Sequence, residues 1–317
     1  MSALFTSALA ASAQAASEQH YPQGTLYVVA TPIGNLADIS LRALHVLGLV
    51  DAIACEDTRH TQSLLRAYGI DKSAGQLIAV HQHNEAQAAH TVLDHLRQGQ
   101  RVAYVSDAGT PGISDPGARL VAAVRAQNLR AIPLPGASSI TTLISVAGLV
   151  EDHPGGFVFV GFLPSKAGER DRAVLALAVQ ERALLLLEAP HRIEALALAL
   201  ATLGTRKLTI GRELTKQFEE IATVNAQDLP AWLAQDANRL RGEFALVLHA
   251  MPPAAEATKD TRILKLLLEH LPLKTAVKLA ADITGEPRNG LYQSALAIKS
   301  GGADQDADDA DGTDSPT

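Results

Sequence analysis

Carboxylates gather in this chain where glycines are dense and basic residues are missing. The run Ser106-Asp107-Ala108-Gly109-Thr110-Pro111-Gly112-Ile113-Ser114-Asp115-Pro116-Gly117 carries two aspartates, three glycines and two prolines, with no Lys or Arg. Glycine lets the backbone approach a bound molecule closely, and proline stiffens a loop in advance. A phosphate cradle of the form G-x-x-x-x-G-K-[ST] is absent, and the three glycines do not have the G-x-G-x-x-G dinucleotide spacing. Carboxylates and carbonyls suit a ligand that carries positive charge or hydroxyl donors. A sulfonium-bearing nucleoside such as S-adenosylmethionine has both, although one Gly-Pro cluster alone is equally an ordinary turn.

Two more polar clusters follow apolar runs, Glu56-Asp57-Thr58-Arg59-His60-Thr61 and Glu188-Ala189-Pro190-His191-Arg192. His81-Gln82-His83 invites a metal reading, but no third ligand stands at a suitable spacing, so no metal is expected. The single Cys55 excludes an internal disulfide framework and a cysteine-rich zinc site.

The elements that position these clusters alternate. Leu26–Ala30, Ala52–Cys55, Leu77–Val80, Gln100–Val105 and Arg130–Leu134 read as strands, with helical patterns between them. That order predicts an α/β fold with a mostly parallel sheet over 25–147. A polar Gly/Pro stretch at 148–156 reads as a hinge. A second α/β domain follows over 157–251, where strands at Leu208–Glu213 and Phe218–Val224 lie close enough to pair antiparallel in a mixed sheet. Residues 258–300 read as a small helical segment with a net charge of +3, suited to nucleic acid or equally to plain packing.

The net charge of −7 belongs mostly to the end of the chain. Asp304, Asp306, Asp308, Asp309, Asp311 and Asp314 make 301–317 an acidic tail expected to be disordered, and leave the remainder near −1. Residues 1–24 are Ala- and Ser-rich without a basic n-region. They read as a disordered extension rather than a signal peptide. No run approaches the ~20 apolar residues of a membrane span, and a cytoplasmic protein is expected.

Four stretches together resemble the tetrapyrrole-methylase-like superfamily of S-adenosylmethionine-dependent methyltransferases. They are Thr31-Pro32-Ile33-Gly34-Asn35-Leu36, Glu56–Thr61, the Asp107–Asp115 loop and Pro135-Gly136-Ala137-Ser138-Ser139. The match also takes in Gly161–Lys166, Glu188–Arg192, Gly211–Lys216 and Gly242–Leu248, over about residues 24–300. Within the superfamily it is similar to the bacterial branch that methylates ribose 2′-hydroxyls of small-subunit ribosomal RNA. The resemblance implies two α/β domains with the cofactor cleft between them, usually in a homodimer. It also implies a cytidine in the decoding region of 16S rRNA as substrate, within the assembled small subunit.

Carried over residue by residue, it implies that Pro32, Asp107, Ala108, Gly109, Ser114 and Asp115 surround the methionine end of the cofactor. Ser138 would meet the carboxylate at a helix N-terminus, or serve simply as an N-cap. Leu187, Glu188, Glu213, Phe244 and Ala245 would wall the adenine and ribose. A ribose hydroxyl must lose its proton, so an acceptor is expected. Asp57 is the first choice among Glu56, Asp57, His60, Glu188 and His191, because it ends a strand on the cleft side. The competing reading is that Asp57 pairs with Arg59 or caps the next helix. Arg59, Lys166, Arg170, Arg192, Lys274, Lys278 and Arg288 are the expected RNA contacts. Two rival functions fit the same pattern: methylation of a small tetrapyrrole-type substrate, and a non-catalytic RNA-binding or assembly factor.

Overall fold

Apolar runs become strands and the helical patterns between them become helices in a computed structural model that describes residues 5–81, 84–149, 156–250, 261–285 and 287–301. Most of the expected hinge, the linker before Thr261, Gln82, His83 and the acidic tail lie outside the described residues. The chain forms two compact units, Met1–Met251 and Pro252–Thr317.

The first correction comes at the start. The extension expected to be disordered holds a helix, α1 (Thr6–Ala16). Phe5 meets the Tyr68 ring edge-on at 5.0 Å, and Ala8 and Leu9 pack on the core that contains Leu44, Leu47 and Tyr68. An Ala/Ser-rich segment has a weak amphipathic signal of its own, and tertiary packing supplies its stability.

Beyond it, β1 (Thr25–Val29), α2 (Leu41–Leu49), β2 (Ala52–Cys55), α3 (Thr58–Tyr68), β3 (Leu77–Ala79), α4 (Glu85–Arg97), β4 (Val102–Val105), α5 (Gly117–Ala126) and β5 (Arg130–Leu134) alternate as expected. The sheet is parallel, in the order β3-β2-β4-β1-β5. β2 and β4 are buried along their whole length, which is why they read as continuous apolar runs. Pro133 is tolerated because β5 is an edge strand. Ser40 caps α2, accepting from Ala43 N at 3.1 Å.

A helix from this half, α6 (Ser139–Val146), ties it to the next. Ile140 and Leu143 enter an apolar cluster with Leu185, Leu214, Ala245 and Val247. The second half contains β6 (Phe157–Gly161), α7 (Ala167–Ala178), β7 (Ala183–Glu188), α8 (Ile193–Leu200), β8 (Lys207–Arg212), β9 (Glu220–Asn225), α9 (Leu229–Ala234) and β10 (Phe244–Leu248). Its order is β6-β7-β10-β8-β9; β6 and β7 are parallel, and the other neighbours antiparallel. The expected mixed sheet is present.

The second unit packs α10 (Thr261–His270), α11 (Leu273–Thr284) and α12 (Arg288–Gly301) around Leu264, Val277, Ala280, Leu291 and Ala295.

Candidate active site

In sheet order, β1 lies between β4 and β5, so the loops that leave β1 and β4 emerge side by side at the C-terminal edge of the parallel sheet. Open α/β sheets bind ligands where the strand order reverses in this way. Thr31 and Gly109 lock the two loops together through reciprocal backbone hydrogen bonds of 3.0 Å. Gly109 has φ +80°, and a Cβ there would lie 3.2 Å from Ile33 Cγ2. A side chain would be both strained and crowded.

The acids of the Asp107–Asp115 loop are spent largely on the loop itself. Asp115 accepts from Tyr104 Oη at 3.0 Å, Gly117 N at 2.8 Å and Gly112 N at 2.7 Å. A Cβ at Gly117 would collide with the Tyr104 ring and lie 2.6 Å from Asp115 Oδ1. Burial first, then the neighbouring carboxylates of Asp115 and Glu56, push the Tyr104 phenol well above its usual range, so it remains a neutral donor. Asp107 Oδ1 accepts from Asp57 N at 3.3 Å, while Asp107 N donates to Glu56 Oε1 at 3.1 Å.

These loops form one wall of a cleft of about 430 Å³, within the range of small-molecule sites. The second half supplies the other wall through Leu187, Glu188, Phe244 and Ala245. Among the described residues the lining contains carboxylates, hydroxyls and apolar side chains, with no Lys, Arg or His. Glu188 Oε2 is buried without a protein partner, which leaves an acceptor for a ligand donor. Ser138 occupies the N-cap of α6 yet makes no side-chain cap bond, so its hydroxyl is available to the cleft. Such a lining fits a cationic, hydroxyl-bearing ligand with a flat apolar ring.

The lining includes Asp107, Ala108, Gly109, Ser114, Asp115, Ser138, Leu187, Glu188, Phe244 and Ala245 from the expected set. Pro32 and Glu213 are not in it. Ile33 lines the cleft in place of its neighbour Pro32, and the Glu213 carboxylate is taken by Lys216 Nζ at 2.8 Å and Glu243 N at 3.0 Å. Asp57 is also outside the lining. It caps α3, accepting from Arg59 N and His60 N, and lies 3.5 Å from the Arg59 guanidinium. The competing reading of Asp57 therefore matches its geometry. Glu56, one residue earlier, faces the cleft. Burial, and then repulsion from Asp107 and Asp115, raises its carboxyl pKa. His60 and His191 are exposed and outside the lining.

Sequence patterns had not pointed to Phe162, Leu214 or Glu243 as lining residues. All three lie within the matching motifs, Phe162 in Gly161–Lys166, and Leu214 and Glu243 one step from Glu213 and Phe244. Of the expected RNA contacts in this unit, Arg59 and Lys166 are exposed and Arg170 is half-buried. Arg192 is instead held inward, donating to the Leu163 carbonyl beside Glu188. In the second unit Lys274 and Lys278 are exposed one turn apart on α11, with Arg288 exposed at the start of α12.

Residues 25–230 match the family of tetrapyrrole (corrin/porphyrin) methylases, and residues 254–299 match an RsmI C-terminal HTH domain. Ribosomal RNA small subunit methyltransferase I of Escherichia coli O157:H7 is 46% identical over 278 residues, covering 86% of this chain and 95% of that one. The protein of the same name from Pseudomonas aeruginosa is 45% identical, over 86% of this chain and 97% of that one. The chain belongs to the ribosomal RNA small subunit methyltransferase I family. Membership makes it an S-adenosylmethionine-dependent methyltransferase. Solved structures agree on the fold alone. A uroporphyrin-III-C-methyltransferase from Thermus thermophilus has a TM-score of 0.51 at 20% identity, covering 72% of this chain and 94% of that one. A diphthine synthase has a TM-score of 0.53 at 14% identity, covering 71% and 90%. Among the described residues no group of three or more His, Cys, Asp or Glu is placed to hold a metal ion. No described helix is long and apolar enough to cross a membrane.

Proposed function

We propose that this chain methylates the ribose 2′-hydroxyl of a cytidine in the decoding region of 16S rRNA. It would act on the small ribosomal subunit in the cytoplasm, as a homodimer. The observation that carries this reading is a carboxylate-lined cleft without a basic residue, in a chain whose relatives at 42–46% identity are named for small-subunit ribosomal RNA methylation.

When bound, S-adenosylmethionine supplies a methyl group on a sulfonium whose positive charge disappears during transfer. Carboxylates that gripped that charge tightly would favour the ground state and slow the step. Here the acids are committed elsewhere: Asp115 to Tyr104, Gly112 and Gly117, and Asp107 to Asp57 N. Their contribution is a rigid loop whose backbone at Asp107, Ala108 and Gly109 orients the methionine end, which is catalysis by positioning. Ser138, Ser114 and the N-terminus of α6 receive its carboxylate. Glu188, Phe244 and Ala245 contact the nucleoside. Glu56 accepts the proton of the 2′-hydroxyl, because it faces the cleft and its raised pKa brings it nearer to neutral pH. Lys274, Lys278 and Arg288, with Arg59, Lys166 and Arg170, contact RNA phosphates.

The test is transfer of labelled methyl from S-adenosylmethionine to small subunits or naked rRNA by the purified protein. Label at one nucleotide that then resists alkaline cleavage supports ribose methylation. No transfer with cofactor binding intact removes the enzymatic reading.

A further inference from the structure

A strained loop beside the cleft joins its two walls. Among the described residues Glu213 (φ +52°) and Thr215 (φ +67°) are two of three non-glycine residues with positive φ, and they flank Leu214, which lines the cleft. Backbone strain of this kind persists only where the surroundings over-determine it. The surroundings here are specific. Glu213 N donates to Glu243 O at 3.0 Å, and Thr215 N donates to Glu219 Oε2 at 2.6 Å. Gly242, at φ +88°, has no side chain because a Cβ would lie 2.5 Å from Glu213 Oε1.

Lys216 completes the loop and reaches both halves. Its Nζ lies 2.8 Å from Glu213 Oε1 and 3.1 Å from Glu243 Oε2. Its aliphatic stem lies flat on Gly34, where a Cβ would collide with Lys216 Cγ and stand 2.9 Å from Cε. Gly34 follows Ile33 in the β1 loop, and Glu243 precedes Phe244 and Ala245; Ile33 and these three residues all line the cleft. One side chain therefore fixes the β1 loop of the first half against the β10 entry of the second. The two carboxylates also raise the Lys216 pKa despite its partial burial, so it is charged at neutral pH.

We propose that Lys216 is a positioning residue that sets the separation of the two cleft walls, and with it the affinity for the nucleoside cofactor. The proposal rests on the methyl-donor reading. Lys216 is not among the residues that line the cleft; its Nζ is held by Glu213 and Glu243, and its stem lies against Gly34.

Calorimetric titration with S-adenosylhomocysteine, together with steady-state kinetics, tests this. The wild-type titration comes first: absence of binding there overturns the methyl-donor reading itself, before any variant is compared. Lys216→Met keeps the stem and removes both ion pairs, and is expected to raise Kd about tenfold with kcat at saturating cofactor changed less than about threefold. Lys216→Arg retains most of the affinity. Gly34→Ala displaces the stem from the other side and is expected to raise Kd to a similar degree. Once the stem is gone the extra methyl has room, so Gly34→Ala added to Lys216→Ala should cost little more than Lys216→Ala alone, a non-additive result. The proposal is overturned if Kd stays within about twofold in both Lys216→Met and Gly34→Ala while only Tm falls, or if the Gly34 and Lys216 effects simply add.

Discussion

Arg192 Nε lies 3.1 Å from Glu188 Oε1, so the arginine serves an acid of the cleft rather than the outer surface. The Glu188 side chain is fully buried and that of Arg192 is 22% exposed. Removing one partner of a buried pair leaves the other charge uncompensated. Arg192→Met is expected to cost on the order of 3 kcal/mol of stability and to weaken cofactor binding. The salt dependence of RNA binding should not change, since no phosphate contact is lost. A urea melt and a salt titration check the two halves of the expectation.

Glu56 and Asp57 are neighbours with opposite roles, and substitution separates them. Glu56 has a raised pKa, so ionising it in the folded protein costs stability above that pKa, and the cost vanishes as pH falls through it. Glu56→Gln should therefore lose turnover by about 10²-fold or more while keeping or raising Tm. In the wild type, kcat/KM should decline on the acid side at a pH above the ordinary carboxylate value. Asp57 is shifted the other way, first by hydrogen bonds from Arg59 N and His60 N. Its stabilisation is present above its unfolded pKa and is lost as pH falls through its lower folded value. Asp57→Ala should lower Tm at neutral pH, flatten that acid-side loss, and leave turnover largely intact. Equal loss of turnover in both variants would remove the distinction.

That pair also marks where the sequence stops being legible. The strands, the alternation with helices, the parallel-then-mixed order and most of the cleft loops follow from apolar runs and glycine positions. Which of two adjacent acids faces the cleft does not, because β2 ends at Cys55 and the chain turns straight into α3. The Asp-Thr-Arg-His order also carries a helix-start signal, and it is this role that Asp57 fills. The inward orientation of Arg192 and of the Glu213 carboxylate is not legible for a different reason. Besides the near partners Glu188 and Lys216, each has one distant in sequence, Leu163 and Glu243. Helix α1 was missed because its ordering partner, Tyr68, lies beyond β2.

The Tyr104–Asp115 bond supports the loop from beneath. Tyr104→Phe removes one of three donors to Asp115 and should cost about 1 kcal/mol of stability, with a modest rise in cofactor Kd. Gly117→Ala drives a methyl into the Tyr104 ring and should cost about 1–3 kcal/mol, with a larger rise in Kd. Calorimetry on both variants gives the order, and a reversed order would show that the ring moves aside freely.

Lys274 and Lys278 lie on one exposed stripe of α11. Replacing each with Gln should reduce the magnitude of the log Kd against log salt slope for rRNA by about 1, without changing cofactor affinity. An unchanged slope would mean that the second unit docks by some other surface.

The strand order carries a consequence for how the molecule is made. β1 lies between β4 and β5, so the first sheet cannot close until Leu134 has left the ribosome. The cleft waits longer still, for β10 and its end at Leu248. Until β4 and then β5 have been made, β1 lacks its two partners, and parallel pairings over such separations form slowly. Helix α1 has to wait as well, for Leu44, Leu47 and Tyr68. By contrast, the described helices of the second unit pack on residues close to them in sequence. The helical unit is the part of the molecule built to fold fastest.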